Sequence, residues 1–439
     1  MQSADLVIVG GGVAGLAAAV TAARMGASAI VLEAAHEPGG LVRSHRAGGY
    51  TFDRCGHVLH LARPETRALI DGVTAPGDWL DVERRSAVWM CDRLVPYPFQ
   101  LHLAHAPPDV RDECLAGLPR ETAPFEGDPH DVALRDWIEA TLGAGIAKHF
   151  MVPYNEKLAT VPIDELTCAW LGRFAPRPAL ADVRDGARSA RTRQVGYNQR
   201  FRYPRAGGID LVWKALAATI VPVRRSARVR AVDVIARTVV LETGERIRYR
   251  EAVIASVPLD LLVGLVSPAS PAFVSAPQLR ANSVTCVNLG VRRLAPTFRG
   301  PQWIYLPERR FRAYRVGFYG GLSPATAPPG REGVYVEIAH ADEVPERVLV
   351  DAAVADLTML GAIGGRDDVE VVLPVRIRRA YVIHDRRWAP ARAALLRELE
   401  ARRIYPVGRY GRWEYASIDD ALAQGIQAPG RALTAAGEE

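Results

Sequence analysis

Apolar positions along this chain follow two rhythms, the short continuous or alternating runs of strands and the three-to-four-residue recurrence of helices. Residues 6–9 form a β-branched apolar run of the kind a strand buried on both faces requires. Residues 16–25 are Ala-rich without a breaker and predict a helix, and 29–32 predict a second strand. Tyr50-Thr51-Phe52-Asp53 reads as a strand before a loop at Cys55-Gly56-His57, and 65–83 as helix and turn. Residues 86–91 and 94–100 suggest a hairpin that Pro96 and Pro98 confine to an edge or a loop. Residues 109–175 are the helical part. Leu134, Trp137 and Ile138 sit at helical spacing in 131–141, Pro153-Tyr154-Asn155 should break the apolar stretch 146–151, and 165–171 reads as a further helix. Residues 176–195 look like an exposed connection, 202–208 a turn and 211–220 a helix. Strands at 227–232, 238–242 and 252–256 would return to the first sheet. Runs at 282–292, 302–307, 313–319 and 333–339 predict an antiparallel sheet, and 391–403 an amphipathic surface helix.

The first strand, helix and second strand enclose Gly10-x-Gly12-x-x-Gly15, and the second strand ends at Glu33. Strand, turn, helix, strand and acid in that order within ~30 residues predict a dinucleotide cradle. Gly10 permits the tight turn, Gly12 lets backbone approach a pyrophosphate, and Gly15 lets the helix pack on the strand. Val13 and Ala14 lie in the same turn, whose helix N-terminus faces the anion. Glu33 is placed to accept the hydroxyls of an adenosine ribose.

Composition narrows the setting. The 439 residues suffice for two or three packed units, and 49% apolar with 24% charged residues is ordinary for a soluble globular protein. No apolar run reaches the ~20 residues of a membrane span, and the immediate entry into the first strand leads us to expect no signal peptide. Five scattered cysteines without a C-x-x-C argue for a reducing cytoplasm rather than a disulfide frame or zinc site. His57 and His60 have no carboxylate or cysteine at a known ligand spacing, so no metal is expected. The net charge of +6 is carried almost wholly by arginine. Its dispersal without an aromatic stripe speaks against nucleic acid, whereas arginine suits phosphate-bearing small molecules.

Glu37-Pro38-Gly39-Gly40-Leu41, followed by Arg43 and Ser44, resembles the extended FAD signature of the amine oxidase and UDP-galactopyranose mutase group of flavoproteins. In that group Gly39 and Gly40 would lie against the FAD diphosphate. Six further segments resemble UDP-galactopyranose mutases, especially the eukaryotic-type branch. They are Phe52-Asp53 to His57-Val58, Val95 to Gln100, Met151 to Pro162, Cys168 to Gly172, Asn198 to Gly208 and Gly408 to Tyr415. The resemblance implies an α/β fold with a discontinuous Rossmann-like FAD-binding domain (1–85, 205–262 and 405–439), a helical domain (101–195) and an antiparallel β-sheet substrate domain (86–100, 196–204 and 263–404). It also implies an isomerase that interconverts a nucleotide-diphosphate hexopyranose, foremost UDP-galactopyranose, and its furanose through a covalent adduct between the sugar and N5 of reduced flavin. Covalent attachment divides one hard displacement into easier steps, provided the protein holds the detached diphosphate close for return. NADPH or NADH would reduce the flavin.

By the same resemblance Arg315 matches an arginine that grips the diphosphate, Arg409 one beside the flavin, and Tyr415 a phosphate-contacting tyrosine. A second family arginine follows Ala169-Trp170-Leu171-Gly172; Arg173 lies one place early and Arg177 later, and Arg173 is preferred. Tyr97, Gln100, Asn155, Trp303 and Tyr305 match the uridine end, and Asn198 a residue near the sugar. His57 matches a loop histidine on the flavin face whose carbonyl would accept the N5 proton. Val229 would offer backbone to adenine, and Ser417 and Asp419 begin a helix facing the flavin pyrimidine ring, where its dipole would stabilise negative charge.

Four positions depart from that pattern. Cys55 replaces a loop glycine, which should stiffen the loop; Ala159 replaces a pocket tryptophan; Leu322 and His384 replace phosphate-contacting tyrosines, and His384 is kept as a substrate-binding position. The edited pocket leaves sugar, base, reductant and oligomeric state open. It also leaves two alternatives: an amine or alcohol oxidase on the same FAD scaffold, or a silent flavoprotein that binds a nucleotide sugar.

Overall fold

The computed structural model describes residues 1–121, 128–175, 177–190, 196, 198–220, 223–341 and 343–434, with the side chain of Arg173 excepted. Its first run, strand Gln2–Val9, pairs in parallel with Ala29–Leu32 on one side and Arg246–Ala255 on the other. The long partner strand continues the sheet twice: antiparallel to Thr238–Leu241 near its start and parallel to Ile404–Pro406 near its end. Val229–Asp233 and Val266–Ser267 complete the sheet. Segments far apart in the chain therefore meet in one layer. The apolar faces of Leu6, Ile8, Ala252 and Ile254 pack on helix Val13–Arg24 and on Ile418–Thr434. No helix among the described residues is long and apolar enough to cross a membrane.

The second sheet has the order Val369–Val382, Ala281–Val291, Glu332–His340, Arg315–Phe318, Trp303–Tyr305, Ser86–Met90, Arg93–Pro96. Its strands are antiparallel as expected, except that Trp303–Tyr305 runs parallel to Ser86–Met90. The predicted hairpin holds, with Arg93–Pro96 at the sheet edge, where a strand tolerates its one proline, Pro96. Strand Trp79–Glu83, read in the sequence as helix and turn, pairs with Arg200–Pro204, because its partner lies too far along the chain for local pattern to reveal it.

Three helical readings change. Pro153 does not break the helix: a π-helical segment Ala147–Met151 leads into Val152–Ala159 just before the proline, the kind of local widening that accommodates a residue without an N–H. Residues 165–171 form no α-helix, only 3-10 turns at Ile163–Glu165 and Cys168–Trp170. The Leu166 carbonyl accepts the Leu134 amide and the Thr167 amide donates to the His384 carbonyl, so this backbone is committed to its neighbours. Within the expected exposed connection, Leu180–Arg188 is a helix whose Leu180, Val183 and Ala187 are buried.

His384, expected at the substrate, instead packs its ring 4.4 Å from that of Trp388 and is 4% exposed. Its place is set by its own carbonyl, which accepts from both Thr167 N and Oγ1.

Two measurements test this packing. A Cβ at Gly15 would lie 2.1 Å from the Gly10 carbonyl oxygen; Gly15→Val should therefore lower unfolding free energy in urea by about 1–3 kcal/mol. Burial, with Arg409 and Arg392 nearby, pushes the His384 imidazole down to about 3. The folded ring stays neutral where the unfolded one protonates, so its stabilisation is complete above about pH 6.5 and declines as pH falls from there toward the folded value. His384→Asn should flatten the loss of urea stability between pH 6.5 and 5; an unchanged slope would count against this assignment.

Candidate active site

A cavity of about 580 Å³ runs from the first glycine turn to the second sheet. Its floor is built by backbone. Gly10 has φ +103°, and a Cβ there would lie 2.5 Å from Ser256 Oγ; Gly39 has φ +107°, and a Cβ there would lie 2.4 Å from the Trp213 ring. The Gly39 amide donates to the Gly11 carbonyl, locking the two glycine turns together. Gly12 has nothing within 4 Å of a built Cβ and faces open space, beside Gly40. Val13, Ala14 and Leu41 line the same end. Gly15 does not; its role is packing. Glu33 Oε2 accepts from the Gly11 amide and Oε1 from Ala35, both at 2.8 Å, which fixes the carboxylate at the cavity edge with lone pairs to spare. A dinucleotide needs a helix N-terminus over which its diphosphate can approach, and an anchored acid for its ribose. These residues fit both.

Above the cradle, the buried carboxylate of Asp53 accepts from Ser44 Oγ, Tyr203 Oη and the Ile209 amide, which holds the start of the next loop. In that loop Cys55 Sγ lies 3.4 Å from His57 Nδ1. Burial pushes the His57 ring down to about 4, so it is neutral at pH 7, and pushes the Cys55 thiol up, so it stays protonated.

Arg315 projects from the second sheet and pairs with buried Glu337, Nε–Oε2 2.7 Å and Nη2–Oε1 2.8 Å. Arg409 donates to the carbonyls of Ala416 and Ala380 and lies over the rings of Tyr381 and Tyr415. No carboxylate pairs with it among the described residues. Tyr415 meets Phe174 edge-on at 4.6 Å. At the far end Tyr97 and Tyr305 lie 5.1 Å apart, and Tyr154 meets Tyr305 edge-on. Gln100, Asn155, Asn198 and Trp303 line this end, with the Asn155 amide donating to the Met151 carbonyl. Ser417 opens helix Ile418–Thr434 at the cavity wall and caps it with Asp420.

Asp419, His384 and Arg177 stand away from the cavity wall. Asp419 turns from the cavity to Arg63 and Thr66, which makes it an anchor of the helix start. Val229 and His384 are outside the cavity lining. Arg177 packs over the Trp137 ring, and the side chain of Arg173 lies outside the described residues. Phe174, immediately after Arg173, reaches the cavity instead.

Sequence reasoning missed two cavity arginines. Arg84 is 4% exposed, lies 5.0 Å over the Tyr97 ring and donates to Asn198 Oδ1. Arg54 donates to the Gly40 carbonyl, and its buried Nε has no hydrogen-bond partner among the described residues. Burial and neighbouring Arg43 push its pKa down. An uncompensated guanidinium against Gly40 suits an anionic cofactor group there. The one available signal was the density of arginine around the glycine-rich turns.

Comparison with known proteins places the chain among flavoproteins. Residues 8–73 match the NAD(P)-binding Rossmann-like domain and residues 132–433 the flavin containing amine oxidoreductase family. A crystal structure of reduced UDP-galactopyranose mutase superposes with a TM-score of 0.92 at 26% identity, covering 98% of this chain and 96% of that one. A structure titled as a protoporphyrinogen oxidase from Exiguobacterium sp. 255-15 shares the fold at TM-score 0.75 and 18% identity, covering 100% and 99%. Putrescine oxidase does so at 0.64 and 16%, covering 99% of each chain. Coproporphyrinogen III oxidase from Propionibacterium freudenreichii subsp. freudenreichii is 30% identical over 206 residues, 43% of this chain; the match spans only 37% of that relative's length. With a glycine cradle for a dinucleotide and a family match over most of its length, the chain belongs to the flavin containing amine oxidoreductase family.

Proposed function

We propose that this protein is an FAD-dependent mutase that interconverts a nucleotide-diphosphate hexopyranose, foremost UDP-galactopyranose, and its furanose. The observation that carries the reading is the convergence of Arg315, Arg409 and Tyr415 with the dinucleotide cradle in one cavity, in a chain that superposes on UDP-galactopyranose mutase along nearly its whole length. When bound and reduced, by NADPH or NADH, the flavin supplies a nucleophilic nitrogen.

The protein's own groups do the rest. Arg315 and Arg409 hold the diphosphate while it is detached and offset its charge, and Tyr415 adds a phenol donor. Tyr97 and Tyr305 flank the base, Gln100 and Asn155 read its edge, and Trp303 closes that wall. Asn198, held by Arg84, lies toward the sugar. Neutral His57 keeps its loop against the cofactor without adding a charge. Gly10, Gly12, Gly39, Gly40 and Glu33 bind the dinucleotide, and the N-terminus of Ile418–Thr434 offsets negative charge on reduced flavin. Five unpaired cysteines support a reducing compartment, the cytoplasm.

The partial identity to coproporphyrinogen III oxidase supports a second reading, a flavin oxidase. The two separate cleanly. Dithionite-reduced holoenzyme incubated with UDP-galactopyranose should yield UDP-galactofuranose, resolved by liquid chromatography, while oxidised enzyme releases no hydrogen peroxide with amines or porphyrinogens. Peroxide without furanose product would reverse the assignment. Arg315→Ala should lower kcat by about 100-fold or more, the loss typical of one donor to developing charge.

A further inference from the structure

We propose that Glu337 is a positioning residue that ties Arg315 to the Cys55-Gly56-His57 loop, so that the cation on the diphosphate and the loop against the cofactor keep one mutual arrangement. The inference rests on the reading of Arg315 given above. Glu337 is 0% exposed and stands directly opposite Arg315 across neighbouring strands. Its carboxylate takes the Nε–Nη2 edge of the guanidinium in a bidentate pair. A guanidinium has five N–H donors in a fixed plane, so this leaves the Nη1 edge for a ligand in the cavity.

The same carboxylate makes a third contact. Glu337 Oε1 accepts from the Gly56 amide at 3.1 Å. The Cys55–Gly56 peptide is trans, so anchoring its N–H turns the Cys55 carbonyl away from Glu337. Tyr335, two residues earlier on the same face, fills the remaining space. A Cβ at Gly56 would lie 2.4 Å from Tyr335 Oη, and one at Gly317 would lie 1.9 Å from its ring. The loop is thus seated on one charge and one ring. Burial alone would raise the Glu337 carboxyl, but Arg315 and the Gly56 amide hold it below its ordinary value and keep it ionised. A neutral amide there cannot accept from all three donors, because one of its two heavy atoms only donates: it would face either Arg315 Nε or, flipped, both Arg315 Nη2 and the Gly56 amide.

The test uses FAD-loaded Glu337→Gln, Glu337→Asp, Arg315→Ala and the Arg315→Ala/Glu337→Gln double variant. Two quantities are read: UDP affinity, by tryptophan fluorescence, and the midpoint potential of the bound flavin. Glu337→Gln should weaken UDP by about tenfold and move the flavin potential, and Glu337→Asp should fall between it and wild type in both. In the Arg315→Ala background Glu337→Gln should weaken UDP no further, while still moving the potential. Wild-type UDP affinity with an unmoved potential in Glu337→Gln, or additive losses in the double variant, would overturn the proposal. Should Glu337→Gln fail to retain FAD, Glu337→Asp, which keeps the charge, decides by the same two readouts. Should wild type itself not bind UDP, the mutase reading fails, and the potential alone decides: a shift supports the tie to the loop and none removes it.

Discussion

Backbone meeting backbone without room for a side chain is the constraint on which the rest of the structure depends. Gly15 on the Gly10 carbonyl, Gly39 on the Gly11 carbonyl that accepts its amide, and Gly425 on the Ala14 carbonyl (a Cβ there would lie 2.3 Å away) all bring main chain within contact distance. The first sets helix Val13–Arg24 down on its strand. The second folds the Gly39–Gly40 turn onto the first turn. The third seats Ile418–Thr434 against that helix, and so brings Ser417 to the cavity wall. Each contact removes a degree of freedom that a side chain would restore. Together they convert one local motif into a site shared by residues up to four hundred positions apart.

Charge within the cavity is arranged asymmetrically. Four guanidiniums, from Arg54, Arg84, Arg315 and Arg409, line it, against the carboxylates of Glu33 and Glu337. Glu33 is held by two amides and Glu337 by Arg315, which leaves the cavity biased toward anions. Isolated cations are costly to bury, so such an excess is stable only where anionic groups enter. Phe174 against Tyr415 adds an apolar aromatic surface in the same place. A dinucleotide cofactor, with a charged diphosphate and aromatic rings, meets both features.

Much of this was legible in the sequence where the determinants are local. The turn at Gly10–Gly15, the acid at Glu33 and the second glycine pair depend on neighbours within a few residues and stand where the pattern puts them, as do the second-sheet strands Ala281–Val291, Trp303–Tyr305, Arg315–Phe318 and Glu332–His340; strand Val369–Val382 of the same sheet was not read. Strand Trp79–Glu83 was not legible, because its partner is Arg200–Pro204 and no period announces a pairing over such a separation. Helix Leu180–Arg188 was hidden by its charged composition, although its buried positions keep helical spacing. Asp419 shows the limit at the site itself. Sequence places it on the first turn of the right helix, but only packing tells which side of that turn faces the cavity, and Arg63 with Thr66 claims it for the other side. Arg54 and Arg84 escaped because arginine is abundant throughout the chain, and the burial of Arg84 and of the Arg54 Nε, rather than spacing, distinguishes these two.

The first sheet is assembled from strands within residues 2–9, 29–32, 229–267 and 404–406, and it is covered by a helix that ends at Thr434. During synthesis, therefore, the glycine turn leaves the ribosome roughly four hundred residues before the helix that walls its cavity. A nascent chain carries a cradle it cannot yet close, and its apolar strands wait for partners not yet made. The cavity wall is accordingly complete only when the distant C-terminal helix has docked on the first one.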